Sequence, residues 1–166
     1  MSGMQPTLKS AEPAKVRAAR LEGYMHRTIP LVDQMQVRVT DFDAAGLTLT
    51  APLAPNINHE RTAFGGSLAS LATLACWGYL WLLLEDEPGM HMVVNEAQLR
   101  YLKPVTAALT AHCEAPAADT LQKFLDTLRR RGKARIELKA AIFQDGTLCT
   151  EYTGSFVAYR GGAGQA

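Results

Sequence analysis

The chain has 166 residues, with 17 Lys and Arg against 16 Asp and Glu and a formal net charge of +1. That length suits one domain with a sizeable core, and the balanced charge excludes an electrostatic case for nucleic acid. The three cysteines, Cys76, Cys113 and Cys149, sit among apolar neighbours without metal-type spacing, which predicts free buried thiols in a reducing cytosol.

Residues 1–13 lack periodicity, carry Gly3, Pro6 and Pro13, and are expected to be a mobile tail. No N-terminal apolar run precedes a cleavage site, so a cytoplasmic location is expected. In residues 14–27 the positions Val16, Ala19, Leu21, Tyr24 and Met25 fit a short amphipathic helix that Pro30 stops, with His26 on its surface. Residues 35–42 alternate as a half-buried strand, Met35, Val37 and Val39 against Gln36, Arg38 and Thr40. A turn at 43–46 with Gly46 leads to a returning strand at 47–51, closed by Pro52 and Pro55.

The hairpin feeds a polar loop, residues 58–62, then the pair Gly65-Gly66 and a segment without charge, 67–84. Leu68, Leu71, Leu74 and Trp77 recur at helical spacing and residues 79–84 are apolar all round. Such a helix is wrapped by protein or lies in a bilayer. The small residues of its first half and the acidic flank Glu85-Asp86-Glu87 speak against a span, so no membrane is expected.

Residues 91–102 form the next strand, with Val93, Asn95, Ala97, Leu99 and Tyr101 on one face and Val94, Glu96, Gln98, Arg100 and Leu102 on the other. Asn95 is the odd polar residue on the apolar face: it ties the sheet together or points into a pocket. A β-bulge would exchange its role with Glu96. A strand at 109–114 precedes a helix at 119–131 with Asp119 as N-cap and Gly132 as C-terminal stop. Strands at 133–143 and 147–159 flank the turn Asp145-Gly146, and residues 161–166 are expected to be a disordered end. Residues 14–160 thus read as one α+β domain, a long central helix wrapped by a curved antiparallel sheet.

The elements N-H-x-x-T-A-F-G-G-S-L-x-S-L-A (residues 58–72), Trp77-Gly78 and R-Y-L-K-P (residues 100–104) resemble the YiiD C-terminal type of thioesterase-like proteins. The resemblance implies a hot-dog fold, kinship with PaaI-like acyl-CoA thioesterases, an acyl thioester as small-molecule substrate, no cofactor, and a homodimer or homotetramer with sites shared between protomers. The wider group carries H-G-G at the helix start and an acid further along the helix. Here Phe64 stands in place of that His and Thr73 in place of the acid.

Independently of the name, the first amides of a helix lack intrahelical partners and are partly positive. Gly65 and Gly66 let a carbonyl approach them, as an oxyanion site requires, or else allow close packing only. Asn58 resembles the family's loop Asn and can hold water or carbonyl, or simply close an Asx turn. His59 and Thr62 lie beside it, His59 off the family position. Thr73 can orient a water or bond back to its own turn. Glu96, where relatives often carry Asp, is a candidate general base or a solvated strand residue. Arg129, Arg130 and Arg131 are a solvated surface run or hold the phosphates of a coenzyme A thioester. His26, His59, His91 and His112 form no metal-ligand pattern, so no metal is expected. The alternative reading is an inert acyl-CoA or lipid-binding module; a dehydratase would want a His and an acid facing one another, and the lack of both at the family positions argues against it.

Overall fold

A helix that is apolar on every side has to be covered on every side, and the sheet does this by curving around it. The computed structural model describes residues 12–161. In chain order these form α1 (Ala14–Thr28), α2 (Pro30–Met35), β1 (Arg38–Asp43), β2 (Gly46–Ala51), a 3-10 turn (Ala54–Asn56) and α3 (Gly65–Leu84). Next come β3 (Met90–Tyr101), β4 (Leu109–Glu114), α4 (Ala118–Arg131), β5 (Lys133–Gln144) and β6 (Thr147–Arg160). The six strands form one antiparallel sheet in the order β1-β2-β4-β5-β6-β3. The central helix packs against β2, β3, β4, β5 and β6, the α+β hot-dog arrangement. Apart from residues 12, 13 and 161, the two expected tails lie outside the described residues.

Alternation along the strands supplies the cover. Leu47 and Leu49 of β2, Leu109 and Cys113 of β4, Leu138 and Ile142 of β5 and Tyr152 and Phe156 of β6 are all buried. They meet Leu71, Ala75, Leu80 and Leu82 of α3 in one core. Each fully buried large apolar side chain contributes about 1.5–3 kcal/mol. Gly78 permits the closest approach: a Cβ there would stand 3.0 Å from Leu47 and 3.1 Å from Leu21. By length and composition α3 is a helix that would cross a bilayer, yet most of it is buried inside this sheet.

The side of α3 that the sheet leaves open is closed by α1. Tyr24 stacks on Trp77 (6.2 Å between centroids) and tilts on Trp81 (5.3 Å). Arg17 is buried with only 4% exposure; it pairs with Glu85, the C-cap of α3, and donates to Leu82 O at 2.5 Å. Its guanidinium also lies over the Phe42 ring.

Four sequence expectations are corrected by the fold. Pro30 does not merely stop α1; it opens α2, where its fixed φ suits the first turn. Met35 consequently ends a helix rather than beginning a strand, and Gln36 comes after it in the left-handed region at φ 56°. Asp119 sits in the first turn of α4, where a carboxylate suits the dipole, but the N-cap is Ala117. In β3 a bulge at Asn95 reverses the faces: Val94 pairs with buried Phe156, then Glu96 pairs with Ser155. Val94, not Val93, therefore shares the helix-facing side with Ala97, Leu99 and Tyr101.

His26 joins α1 to α2 and to the entry of β1. Its Nε2 lies 2.8 Å from Val37 O and its Nδ1 3.1 Å from Asp33 Oδ1. Both contacts are with acceptors, so only the imidazolium satisfies both. The Val37 carbonyl and the Asp33 carboxylate raise its pKa above the ordinary value against the opposing effect of burial. A raised folded-state pKa stabilises below the unfolded value and that benefit disappears as pH rises through the folded one. His26→Ala is accordingly expected to lower Tm more at about pH 5.5 than at about pH 8.5. Equal losses at both, read by calorimetry, would show that protonation plays no part.

Candidate active site

The entrance of α3 is held from three sides. Ala63 N donates to Val105 O at 2.8 Å and Phe64 N to Asn56 O at 2.7 Å. The Tyr101 hydroxyl donates to Gly65 O at 3.0 Å. Ser67 and Leu68 direct their amides to Phe64 O, whereas the amides of Gly65 and Gly66 have no partner among the described residues. Two polarised donors thus stand free at the helix start. The two glycines differ in what surrounds them. A Cβ at Gly65 would sit 3.5 Å from the Tyr101 ring, an ordinary contact; one at Gly66 would sit 2.3 Å from the Phe64 ring. Phe64 is the 55% exposed N-cap residue, and its ring lies over Gly66.

The loop before it closes on itself. Asn58 Nδ2 donates to Thr62 Oγ1 at 2.9 Å and to Ala63 O at 3.4 Å; its Oδ1 accepts from the amides of Glu60 and Thr62. Two donors and two acceptor positions are all that an amide side chain has, so Asn58 acts here as the loop's latch. Thr62 is its partner. His59 lies at the loop tip, 87% exposed, with Nε2 3.3 Å from Glu60 Oε1.

The remaining candidates fall apart from this entrance. Thr73 faces the sheet, with Oγ1 3.2 Å from Tyr152 Oη. Glu96 is exposed and lies opposite Ser155, which pairs in turn with Glu137 on the outer face of the sheet. Asn95 is the exposed bulge residue. Arg129 approaches Asp126 at 3.6 Å and Arg130 donates to Asp126 O at 3.4 Å. That helix ends at Gly132, whose carbonyl accepts from Arg160 N. Arg160 ends the strand in which Thr150, ten residues earlier, pairs with Tyr101 beside Gly65. At about 3.3 Å per residue that stretch of strand is roughly 30 Å long, and within one protomer the arginines and the glycines lie toward its opposite ends. The sheet's outer face carries a separate hollow of 370 Å³ lined by Arg100, His112, Glu114, Lys139 and Glu151.

Two tyrosines escaped the sequence reading. Tyr101 reads as an ordinary strand aromatic, and nothing in its spacing announces a bond to Gly65. Tyr152 does leave a trace: Gly154 interrupts a strand of larger residues, and a strand glycine marks a close approach.

The family described as "Putative thioesterase (yiiD_Cterm)" matches residues 18–160, and the chain belongs to that family. Among solved structures it is similar to a protein of unknown function from Chlorobaculum tepidum: 34% identity, TM-score 0.85, covering 89% of this chain and 97% of that one. It is similar as well to a "putative thioesterase" from Shewanella oneidensis: 34% identity, TM-score 0.78, covering 87% and 99%. The E. coli PaaI protein, at 16% identity and TM-score 0.60 over 90% and 97%, shares the fold.

Proposed function

We propose that this chain hydrolyses acyl thioesters of coenzyme A or of an acyl carrier protein, as a cytoplasmic homodimer or homotetramer. The observation that carries the reading is the pair of free amides at Gly65 and Gly66, presented by a rigid buried helix in a family of thioesterase type. They would hold the carbonyl oxygen as it gains charge. The oxygen of a water adds to the carbonyl carbon, the C–S bond breaks, and the sulfur leaves as thiolate. The water's protons are shared between solvent and the departing thiol, giving acid and thiol without any cofactor or metal.

Spacing argues for a shared site. Thr73 lies seven residues after Gly66 on one helix, about 10 Å along its axis. One carbonyl cannot meet both within a protomer, so the hydroxyl that orients the water would come from a second copy. The same second copy is needed for Arg129–Arg131 to reach the phosphates of the bound thioester. The edge strand β3, with Val93, Val94 and Tyr101 exposed, is the surface such a copy would cover. Neither nucleic acid nor membrane enters this reading.

The inert binding module is favoured by one observation: Thr73 replaces the helix carboxylate. Thiol release across a panel of acyl-CoA chain lengths separates the two, with light scattering on the same samples. Turnover by a species of two or more copies is expected. Tight acyl-CoA binding without thiol release would leave the binding module, and turnover by a monomer would remove the shared site.

A further inference from the structure

Hydroxyls on helices usually bond back to their own turn. Thr28 does so to Tyr24 O, Ser70 to Gly66 O and Thr127 to Lys123 O, at 2.8, 2.8 and 2.7 Å. Thr73 does not. Its Oγ1 reaches across to β6 and meets Tyr152 Oη at 3.2 Å, its one hydrogen-bond partner among the described residues.

The sheet is shaped for this meeting. Tyr152 is 2% exposed, and its side chain leans along β6 over Gly154. A Cβ at Gly154 would stand 2.6 Å from Tyr152 Oη and 2.6 Å from Phe156, so any other residue there would push the phenol off Thr73. Across from Gly154, Ala97 is small and lies on the exposed edge strand. The hydroxyl pair therefore sits beneath the side of the sheet where the second copy would join.

We propose that Tyr152 is a positioning residue for Thr73 in thioester hydrolysis, an inference that rests on the hydrolase reading above. By accepting a hydrogen bond from Thr73, the phenol oxygen keeps that hydroxyl from rotating back to its own helix. Thr73's lone pairs then face outward, where one accepts a hydrogen bond from the attacking water and fixes the direction of the water's own lone pair. Burial raises the Tyr152 pKa and the bond from Thr73 opposes that rise, so the phenol stays neutral and takes no proton from the water. The pair orients; it does not replace the missing carboxylate as a base.

Tyr152→Phe removes only the acceptor. It is expected to lower kcat about 10-fold, the range of one hydrogen bond, with KM unchanged and cooperative melting retained. Thr73→Val should do the same, and the double variant should be no slower than Thr73→Val alone, because the two act as a unit. Thr73→Ser, which keeps the hydroxyl, should stay near wild type. Losses that multiply in the double variant, or a folded Tyr152→Phe protein with wild-type kcat, would overturn the positioning role while leaving the hydrolase intact. A wild type that releases no thiol from any thioester would overturn both.

Discussion

Gly66→Val is expected to lower kcat by on the order of 100-fold or more, the cost of one oxyanion donor, in a protein that stays folded. Gly66 has no positive φ, so the backbone accepts a side chain. What the side chain meets is the Phe64 ring, 2.3 Å from the added Cβ. That ring is half-exposed, so the clash falls at the mouth of the site rather than in the core. The new methyls and the displaced ring then occupy the space a carbonyl would use to reach the free amides. Gly65→Ala is the control, since its Cβ would make only ordinary contact with Tyr101. Full turnover in a folded Gly66→Val protein, with circular dichroism unchanged, would reduce the glycine pair to a packing device.

Glu85→Gln should cost about 3–5 kcal/mol, because it strands a buried guanidinium. For a domain this size that is roughly 10 °C or more in Tm. Arg17 and Glu85 have side-chain exposures of 5% and 4%. Arg20, which also reaches Glu85 at 3.0 Å, is 42% exposed and adds little. The paired replacement Arg17→Met with Glu85→Leu should recover much of the loss, since apolar groups of similar volume often match a buried ion pair. An unchanged Tm for Glu85→Gln would mean that the pair is not what fastens α1 to the end of α3.

The central helix and its wrapping were legible because an uncharged, all-round apolar segment leaves few alternatives. The turn Asp145-Gly146 was equally plain, both residues adopting the positive φ that their chemistry allows. Met35 was misread because Met35, Val37 and Val39 alternate like a strand although the first belongs to a helix. All the same, Met35 and Val37 are both fully or nearly buried, so the apolar pattern was real and only its geometry was wrong. The bulge at Asn95 was foreseen as an option but could not be placed, since one extra residue leaves composition untouched while exchanging every face beyond it. The Thr73–Tyr152 contact spans 79 positions, a separation at which local pattern carries no information. Asn58 was the reverse case: its partners are within five residues, so its Asx geometry was readable locally.

The bulge also bears on how the chain avoids misassembly. A twelve-residue border strand with exposed Val93, Val94 and Tyr101 is a template onto which any extended segment could add, including those of partly folded copies during synthesis. Asn95 interrupts that template near its middle, bending the strand and dividing the row of unpaired amides and carbonyls into two short runs. The runs 90–94 and 96–101 hold five and six residues, at the lower limit of the roughly six or seven that cross-β stacking uses. In the homo-oligomer proposed above, a copy carrying the same bend in the same place would meet no such obstacle, and the irregularity would serve as a password between identical chains.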